Sequence, residues 1–130
     1  MIYLDASALV KLVFEENESA ALSEWVNERA DEPKISSDLS TIELLRTCWR
    51  VDEDAVATAQ LLLGGIDRLP IDRFIVERSS GVMPRQLRSL DAIHLASALS
   101  VKASLTAFVA YDTRLCLAAR EAGIAVASPS

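Results

Sequence analysis

The sequence is poor in the residues that build zinc sites and disulfide bonds. It contains two cysteines and one histidine. Cys48 and Cys116 both lie in helix-like apolar patterns, where a free thiol behaves as a small hydrophobic side chain. There is no CxxC pair, and His94 is the lone histidine, so the usual zinc ligand sets are missing. We therefore expect structural thiols, and neither zinc nor a disulfide bond.

Long apolar runs and flexible tracts are also absent. Acids or glycines break every apolar run well before the roughly 20 residues that a bilayer-spanning helix needs. Met1–Leu12 has no basic start and meets Asp5 almost at once, which is unlike a signal peptide. With four glycines, four prolines and 51% hydrophobic residues, we expect one compact, helix-rich domain over residues 1–130. The expected location is the cytoplasm, with no membrane partner.

Positively charged residues are fewer than negatively charged ones, with 13 Lys and Arg against 19 Asp and Glu. A net charge of −6 argues at first against a nucleic-acid partner, because phosphate backbones favour basic surfaces. The deficit is uneven: residues 1–65 carry 13 acids and 5 bases, whereas residues 66–130 carry 6 acids and 8 bases. This split suits a basic partner for the first half and an anionic partner for the second, or simply two solvated surfaces.

The sequence does contain a regular alternation of short apolar strands and amphipathic helices. Met1–Leu4 is apolar and runs into Asp5, and Thr106–Asp112 repeats that design. Helices are predicted over 6–14, 19–30, from 37 onward, from 52 to the glycines at 64 and 65, and over 73–80, 85–98 and 113–122, with further strands at 34–36, 69–71 and 124–126. The alternation predicts an α/β fold of three α/β/α layers around a short, mostly parallel sheet.

Four acids stand out in this pattern. Asp5 and Asp112 each end a predicted strand, where ligands of parallel sheets usually bind. Asp91 lies in an alanine-rich helix that is too apolar to carry an unpaired charge. Glu43 lies on a helix whose apolar face is predicted to be Ile42, Leu45, Cys48 and Trp49, so that Glu43 leaves the core. If the four carboxylates converge, a hard divalent cation such as Mg²⁺ or Mn²⁺ would offset their repulsion.

Each acid also has an ordinary structural explanation. Asp5 and Asp112 can cap the helices that follow them. Ser40 and Glu43 match the spacing of a capping box, and Asp91 can pair with an arginine three residues earlier. The spacing alone does not decide between caps and a metal site.

Several motifs together resemble those of PIN-domain ribonucleases, specifically VapC-type toxins. The motifs are Asp5-Ala-Ser-Ala, Glu43 followed by Arg46, Leu87-Arg-Ser-Leu-Asp91-Ala-Ile-His94-Leu-Ala, and Tyr111-Asp112-Thr-Arg114-Leu with Ala118-Ala119 and Gly123. They occur in order and cover nearly the whole chain. The resemblance implies a parallel sheet between helices and a Mg²⁺-dependent endoribonuclease that hydrolyses phosphodiester bonds of cellular RNA. It further implies a VapB-type antitoxin as partner and a homodimer.

By the same resemblance, Asp5 and Asp91 match the principal metal ligands, and Glu43 and Asp112 match the other two acids of the catalytic quartet. Ser7 and Thr113 follow the acids at strand ends and are candidates to orient a metal-bound water. Arg85, Arg88 and Arg114 are candidate RNA phosphate contacts, because a guanidinium group suits phosphate geometry. His94 is interpreted as a packed histidine. The helices around Trp25 and Trp49 are expected to contribute to dimer or antitoxin surfaces.

Two other functions fit parts of the pattern. A PIN-like module with weak or no catalysis could act by binding RNA or protein. An acid-based phosphatase of the haloacid-dehalogenase type would carry D-x-D after the first strand, where this chain has Asp5 and Ser7. A receiver domain would need a lysine at the end of a late strand, and Lys102 precedes its strand instead.

Overall fold

A parallel sheet lies at the centre of the fold. The computed structural model describes residues 1–130, and its strands are β1 Ile2–Leu4, β2 Lys34–Ser37, β3 Asp67–Leu69, β4 Ala107–Val109 and β5 Val126–Ala127. The helices are α1 Ala6–Val13, α2 Ser19–Asn27, α3 Asp38–Val51, α4 Val56–Gly64, α5 Arg73–Gly81, α6 Ser89–Ser100 and α7 Thr113–Glu121. The strand order is β3-β2-β1-β4-β5, and every pairing is parallel. The expected α/β fold is therefore confirmed.

Strand β1 is the middle strand, and it is buried on both faces. Ile2 and Leu4 pack into one core with residues from α1, α2, α3 and α4. Tyr3 points to the other side, where α6 and α7 supply the apolar partners. The neighbouring strand β4 divides in the same way, with Val109 in the first core and Phe108 in the second. Alternation along the two central strands thus produces the three α/β/α layers.

Several element boundaries differ from the sequence prediction, among them those of β3 and α6. The third strand was predicted at residues 69–71 and occurs at Asp67–Leu69. This strand lies at the edge of the sheet and is largely exposed, so apolar content does not mark it. Helix α6 begins at Ser89 and not at Arg85, because the Leu87 N–H bonds to the Pro84 carbonyl in a turn and the next residue has extended backbone.

The buried face of α3 also differs from the prediction. Leu44 and Cys48 are fully buried, whereas Ile42 and Trp49 are 54% and 62% exposed. Since the helix must cover both α4 and the sheet, its core face is rotated by about one residue from the predicted stripe. One exposed apolar face is thereby left on α3. No helix of the fold combines the length and the apolar character required to cross a membrane.

Candidate active site

The parallel topology brings the ends of β1 and β4 to the same edge of the sheet. Asp5 directly follows β1, and its backbone N–H donates to the Val109 carbonyl at 3.0 Å, which ties the two strand ends together. Asp112 lies three residues beyond the end of β4, at the start of α7. Glu43 reaches this region from α3, which follows β2, and Asp91 from the first turn of α6. All four acids therefore belong to elements that start at the carboxyl edge of the sheet.

Asp5 is the most buried of the four acids, with 4% of its surface exposed. Its Oδ1 atom accepts hydrogen bonds from the Ser7 hydroxyl at 2.6 Å and from the Ala8 N–H at 2.9 Å. The second of these bonds caps α1, so the predicted helix cap is real. Burial raises the pKa of the Asp5 carboxyl, and the hydrogen bond from Ser7 opposes that shift. Oδ2 accepts no hydrogen bond from the protein and remains available to a ligand.

Asp91 is partly buried, and its side chain makes no hydrogen bond or ion pair within the protein. Burial raises its pKa, and the nearby charge of Asp112 raises it further. Glu43 acts in the same direction, while His94 and Arg88 act against it. Asp91 therefore lies within electrostatic reach of two other members of the acidic set. The predicted ion pair with Arg88 is not formed at salt-bridge distance, although its charge still favours the ionised carboxylate.

Glu43 and Asp112 each use one carboxylate oxygen to accept a hydrogen bond from the protein. Glu43 Oε1 accepts a hydrogen bond from His94 Nε2 at 2.7 Å. Asp112 Oδ1 accepts from the Leu115 N–H at 2.9 Å and caps α7, as the cap hypothesis predicted. The other oxygen of each carboxylate has no hydrogen-bond partner in the protein. Asp112 thus combines a helix cap with a position at the carboxyl edge of the sheet.

The capping-box prediction for α3 is wrong. Ser37 caps this helix by accepting from the Leu39 N–H at 3.0 Å. Ser40 is fully buried and shares a hydrogen bond of 2.6 Å with Ser36 beneath the sheet edge. Because the true cap lies three residues earlier than predicted, Glu43 is free of any capping role and can turn toward α6.

The acidic set suits a hard divalent cation. Each of the four carboxylates keeps at least one oxygen without a protein hydrogen bond, and all the available donors are oxygens. No three His, Cys, Asp or Glu side chains lie close enough together in the structure to hold a metal ion between them. Mg²⁺ does not require three such side chains, since it is usually held by one or two carboxylates and keeps several waters. A cation at this edge would also offset the repulsion that raises the pKa of Asp91.

The predicted neighbours of the acids have unequal roles in the structure. Ser7 donates to Asp5 and also accepts from the Tyr111 N–H at 3.3 Å, so it links the ends of the two central strands. Thr113 is exposed and makes no side-chain hydrogen bond. Arg85, Arg88 and Arg114 are exposed, and their side chains form neither hydrogen bonds nor ion pairs with the protein. The three guanidinium groups are therefore free for an external anion.

A polar network beneath the acids was not predicted from the sequence. The Tyr3 hydroxyl lies 2.8 Å from His94 Nδ1, and both side chains are buried. Burial, followed by the charge of Asp5, raises the pKa of Tyr3. His94 is packed inside the protein, as expected, but its bond to Glu43 spans 51 residues of sequence. No local sequence pattern predicts such a contact.

Replacing Asp5 by Asn is expected to stabilise the metal-free fold at neutral pH. The folded pKa of Asp5 lies above its unfolded value of 3.8, so its contribution to stability is fully present below that value. The contribution is lost as the pH rises through the folded pKa, because burial then opposes the charge. Asn keeps the acceptor for Ser7 and Ala8 without the charge.

Urea unfolding of both proteins in EDTA, at several pH values, measures this effect. The wild type should lose stability relative to Asp5→Asn as the pH rises above about 4. Asp67→Asn is the matched control, because Asp67 is exposed at the start of β3, on the opposite edge of the sheet. A stability difference between wild type and Asp5→Asn that does not change with pH would refute the electrostatic origin.

Comparison with known proteins agrees with this architecture over the full length of the chain. Residues 2–121 match the PIN domain family. Ribonuclease VapC47 of Mycobacterium tuberculosis (strain CDC 1551 / Oshkosh) is 42% identical over 132 residues, covering 99% of this chain and 97% of that protein. Ribonuclease VapC46 of M. tuberculosis H37Rv is 39% identical over 129 residues, covering 99% of this chain and 98% of that protein.

Solved structures show the same fold at lower sequence identity. The sarcin-ricin loop cleaving toxin VapC20 of M. tuberculosis superposes with a TM-score of 0.75 at 15% identity, covering 99% of this chain and all of that one. VapBC2 of Rickettsia felis, solved with a DNA fragment from its promoter, superposes with a TM-score of 0.76 at 10% identity over the full length of both chains. The family match and the full-length relatives show that this chain belongs to the PIN-domain family, among the VapC ribonucleases.

Proposed function

We propose that this chain, as a single nuclease domain over residues 1–130, is a Mg²⁺-dependent endoribonuclease and the toxin of a toxin–antitoxin pair. The observation that carries the proposal is that all four acids lie on elements that start at the carboxyl edge of the sheet, with the pKa values of Asp5 and Asp91 both raised. The full-length relatives are ribonucleases, which favours this function over the phosphatase alternative. VapC nucleases of the PIN family depend on a metal in general. The choice of Mg²⁺, with Mn²⁺ as a substitute, follows from the oxygen-only donor set.

Asp5 and Asp91 are the proposed principal ligands, with Glu43 and Asp112 completing the acidic set. A divalent cation bound there lowers the pKa of water and offsets the negative charge that builds on the phosphate during hydrolysis. Asp5 is suited to this role because burial and two hydrogen bonds to Oδ1 fix its orientation. The Ser7 hydroxyl, which donates one of those bonds, is proposed to orient Asp5. Thr113 has no such contact and is proposed only to border the site.

RNA is proposed to approach from the less acidic half of the chain. Residues 66–130 carry 8 bases against 6 acids, and three of the bases are Arg85, Arg88 and Arg114. Arg114 lies in the first turn of α7, just after Asp112, and lines a groove of about 380 Å³ with Pro84 and Leu87. Its guanidinium can hold a phosphate without giving up a side-chain contact within the protein. The acidic first half would repel RNA and so restrict its orientation.

A VapB-type antitoxin and a second copy of the chain are the proposed protein partners, acting in the cytoplasm. Solved toxin–antitoxin complexes share the fold. The exposed face of α3 offers an apolar surface for such contacts, since Ile42 and Trp49 are more than half exposed. Trp25 is less accessible and stacks with the Arg29 guanidinium at 4.1 Å from the ring centroid. Trp49 therefore has the stronger claim to an interface role.

Brief expression of the chain in bacterial cells without its antitoxin tests the proposed function. We expect growth to stop and new RNA 5′ ends to accumulate at a small number of sites. The Asp5→Ala variant, expressed to the same level, should allow growth and yield no new ends. Equal growth arrest by both proteins would refute cleavage as the cause. Sequencing the new ends would also identify the RNA target.

A further inference from the structure

A chain of hydrogen bonds connects the interior of the protein to the acidic edge. The Tyr3 hydroxyl meets His94 Nδ1 at 2.8 Å, and His94 Nε2 meets Glu43 Oε1 at 2.7 Å. Tyr3 is fully buried, His94 is 2% exposed, and the Glu43 side chain is 28% exposed. These hydrogen bonds therefore run from the buried interior to a carboxylate that borders solvent.

The chemistry of the three groups fixes the direction of the outer bond. An ionised Glu43 carboxylate can only accept, so His94 Nε2 must carry the hydrogen and donate it. In neutral His94, Nδ1 then has no hydrogen and accepts from the Tyr3 hydroxyl. In protonated His94 both ring nitrogens donate, and the Tyr3 oxygen accepts instead. The imidazole is anchored on both sides in either state.

The inner end of this hydrogen-bonded series, at Tyr3, is fixed by packing. Tyr3 lies in the middle strand and stacks on Phe108, with ring centroids 5.1 Å apart. Its ring meets that of His94 edge to face, at 6.0 Å and 83°. These contacts leave the imidazole little freedom to rotate. Glu43, by contrast, has a long side chain that is 28% exposed, and its carboxylate accepts no other hydrogen bond.

Helix α6 thus contributes two residues to this region. Asp91 is contributed directly from its first turn, and His94 follows three residues later on the next turn. We propose that His94 is a positioning residue that orients the Glu43 carboxylate for a divalent cation, with Tyr3 fixing the imidazole from behind. This role rests on the proposed metal site. Because His94 donates to Oε1 of Glu43, Oε2 is left for the cation. Hydrogen-bonded partners commonly orient metal-binding carboxylates in this way.

The test is Mn²⁺ affinity, measured by electron paramagnetic resonance of the free ion with purified protein. His94→Leu removes the donor and is expected to weaken Mn²⁺ binding by about 10- to 100-fold. His94→Gln places an amide N–H near the position of Nε2 and should recover most of that loss. Tyr3→Phe keeps the ring but frees Nδ1, and a smaller weakening is expected. Circular dichroism and thermal unfolding verify that each variant is folded under the binding conditions.

A double-mutant cycle separates positioning from a general effect on the fold. Glu43→Gln alone should weaken Mn²⁺ binding, and adding His94→Leu should weaken it no further, because both changes remove the same function. Additive losses, or wild-type affinity in folded His94→Leu, would overturn the role of His94. Asp91→Asn is the control for the site itself. Unchanged Mn²⁺ binding in that variant would overturn the proposed metal site, and the role of His94 with it.

Discussion

Replacing Asp91 by Asn will lower the rate of RNA cleavage by about two to three orders of magnitude and leave the fold intact. Losses of this size are typical when one group that stabilises transition-state charge is removed. The Asp91 side chain makes no hydrogen bond within the protein, so the amide breaks no structural contact. Its carboxylate charge is itself opposed by burial and by Asp112, and removing it should not destabilise the metal-free protein. The loss should therefore come from the site and not from unfolding.

Single-turnover cleavage of a labelled RNA that the wild type cuts measures this effect. Asp67→Asn is the matched control, because it makes the same chemical change on an exposed residue at the other edge of the sheet. We expect that control to cleave at close to the wild-type rate. Cleavage by folded Asp91→Asn within a few-fold of the wild type would show that this carboxylate is not part of the catalytic site.

Removal of divalent cations should abolish cleavage altogether. EDTA is expected to reduce activity below the residual rate of the Asp91→Asn variant, and added Mg²⁺ or Mn²⁺ should restore it. The same cations should stabilise the native state, since binding at 100 times Kd contributes about 2.7 kcal/mol. Because the acids repel one another without a cation, the gain should be smaller in Asp91→Asn.

Thermal unfolding with and without Mg²⁺, at constant ionic strength, measures the second part of this prediction. A monovalent salt of equal ionic strength is the control for general screening of the net charge of −6. Full activity in excess EDTA would show that the acids do not form the proposed site. So would a rise in melting temperature with Mg²⁺ that is equal in the wild type and in Asp91→Asn.

The centre of the fold was predictable from the sequence, and its edges were not. Strand β1 is apolar at every position and ends in an acid, which marks a strand buried on both faces. Strand β3 is exposed at Asp67 and Arg68, so hydrophobicity gives no signal and the prediction fell two residues too late. Apolar pattern identifies a strand only where both faces are buried.

The helices show the same limit. Around α3 the apolar residues are spread widely enough to allow two core faces, and the sheet selected the one with Leu44 and Cys48. The stretch before α6 has helical composition, yet it forms a turn at Pro84–Leu87. In both cases tertiary packing overrode a local pattern.

The four candidate acids could be picked out from the sequence, but their hydrogen bonds could not. Asp5 and Asp112 follow strands, and that position is visible in the sequence. The bond between Glu43 and His94 depends on how α3 packs against α6, which no local pattern encodes. Asp5 and Asp112 each combine a helix cap with a position at the carboxyl edge of the sheet, so the cap does not argue against the proposed site.

An anomalous difference map from crystals grown with Mn²⁺ tests the central claim most directly. The predicted result is a Mn²⁺ peak at the carboxyl edge of the sheet, about 2 Å from oxygens of Asp5 and Asp91. Glu43 and Asp112 should lie close enough to bind it directly or through water. A map with no Mn²⁺ at this edge, from protein that cleaves RNA in the same buffer, would contradict the account.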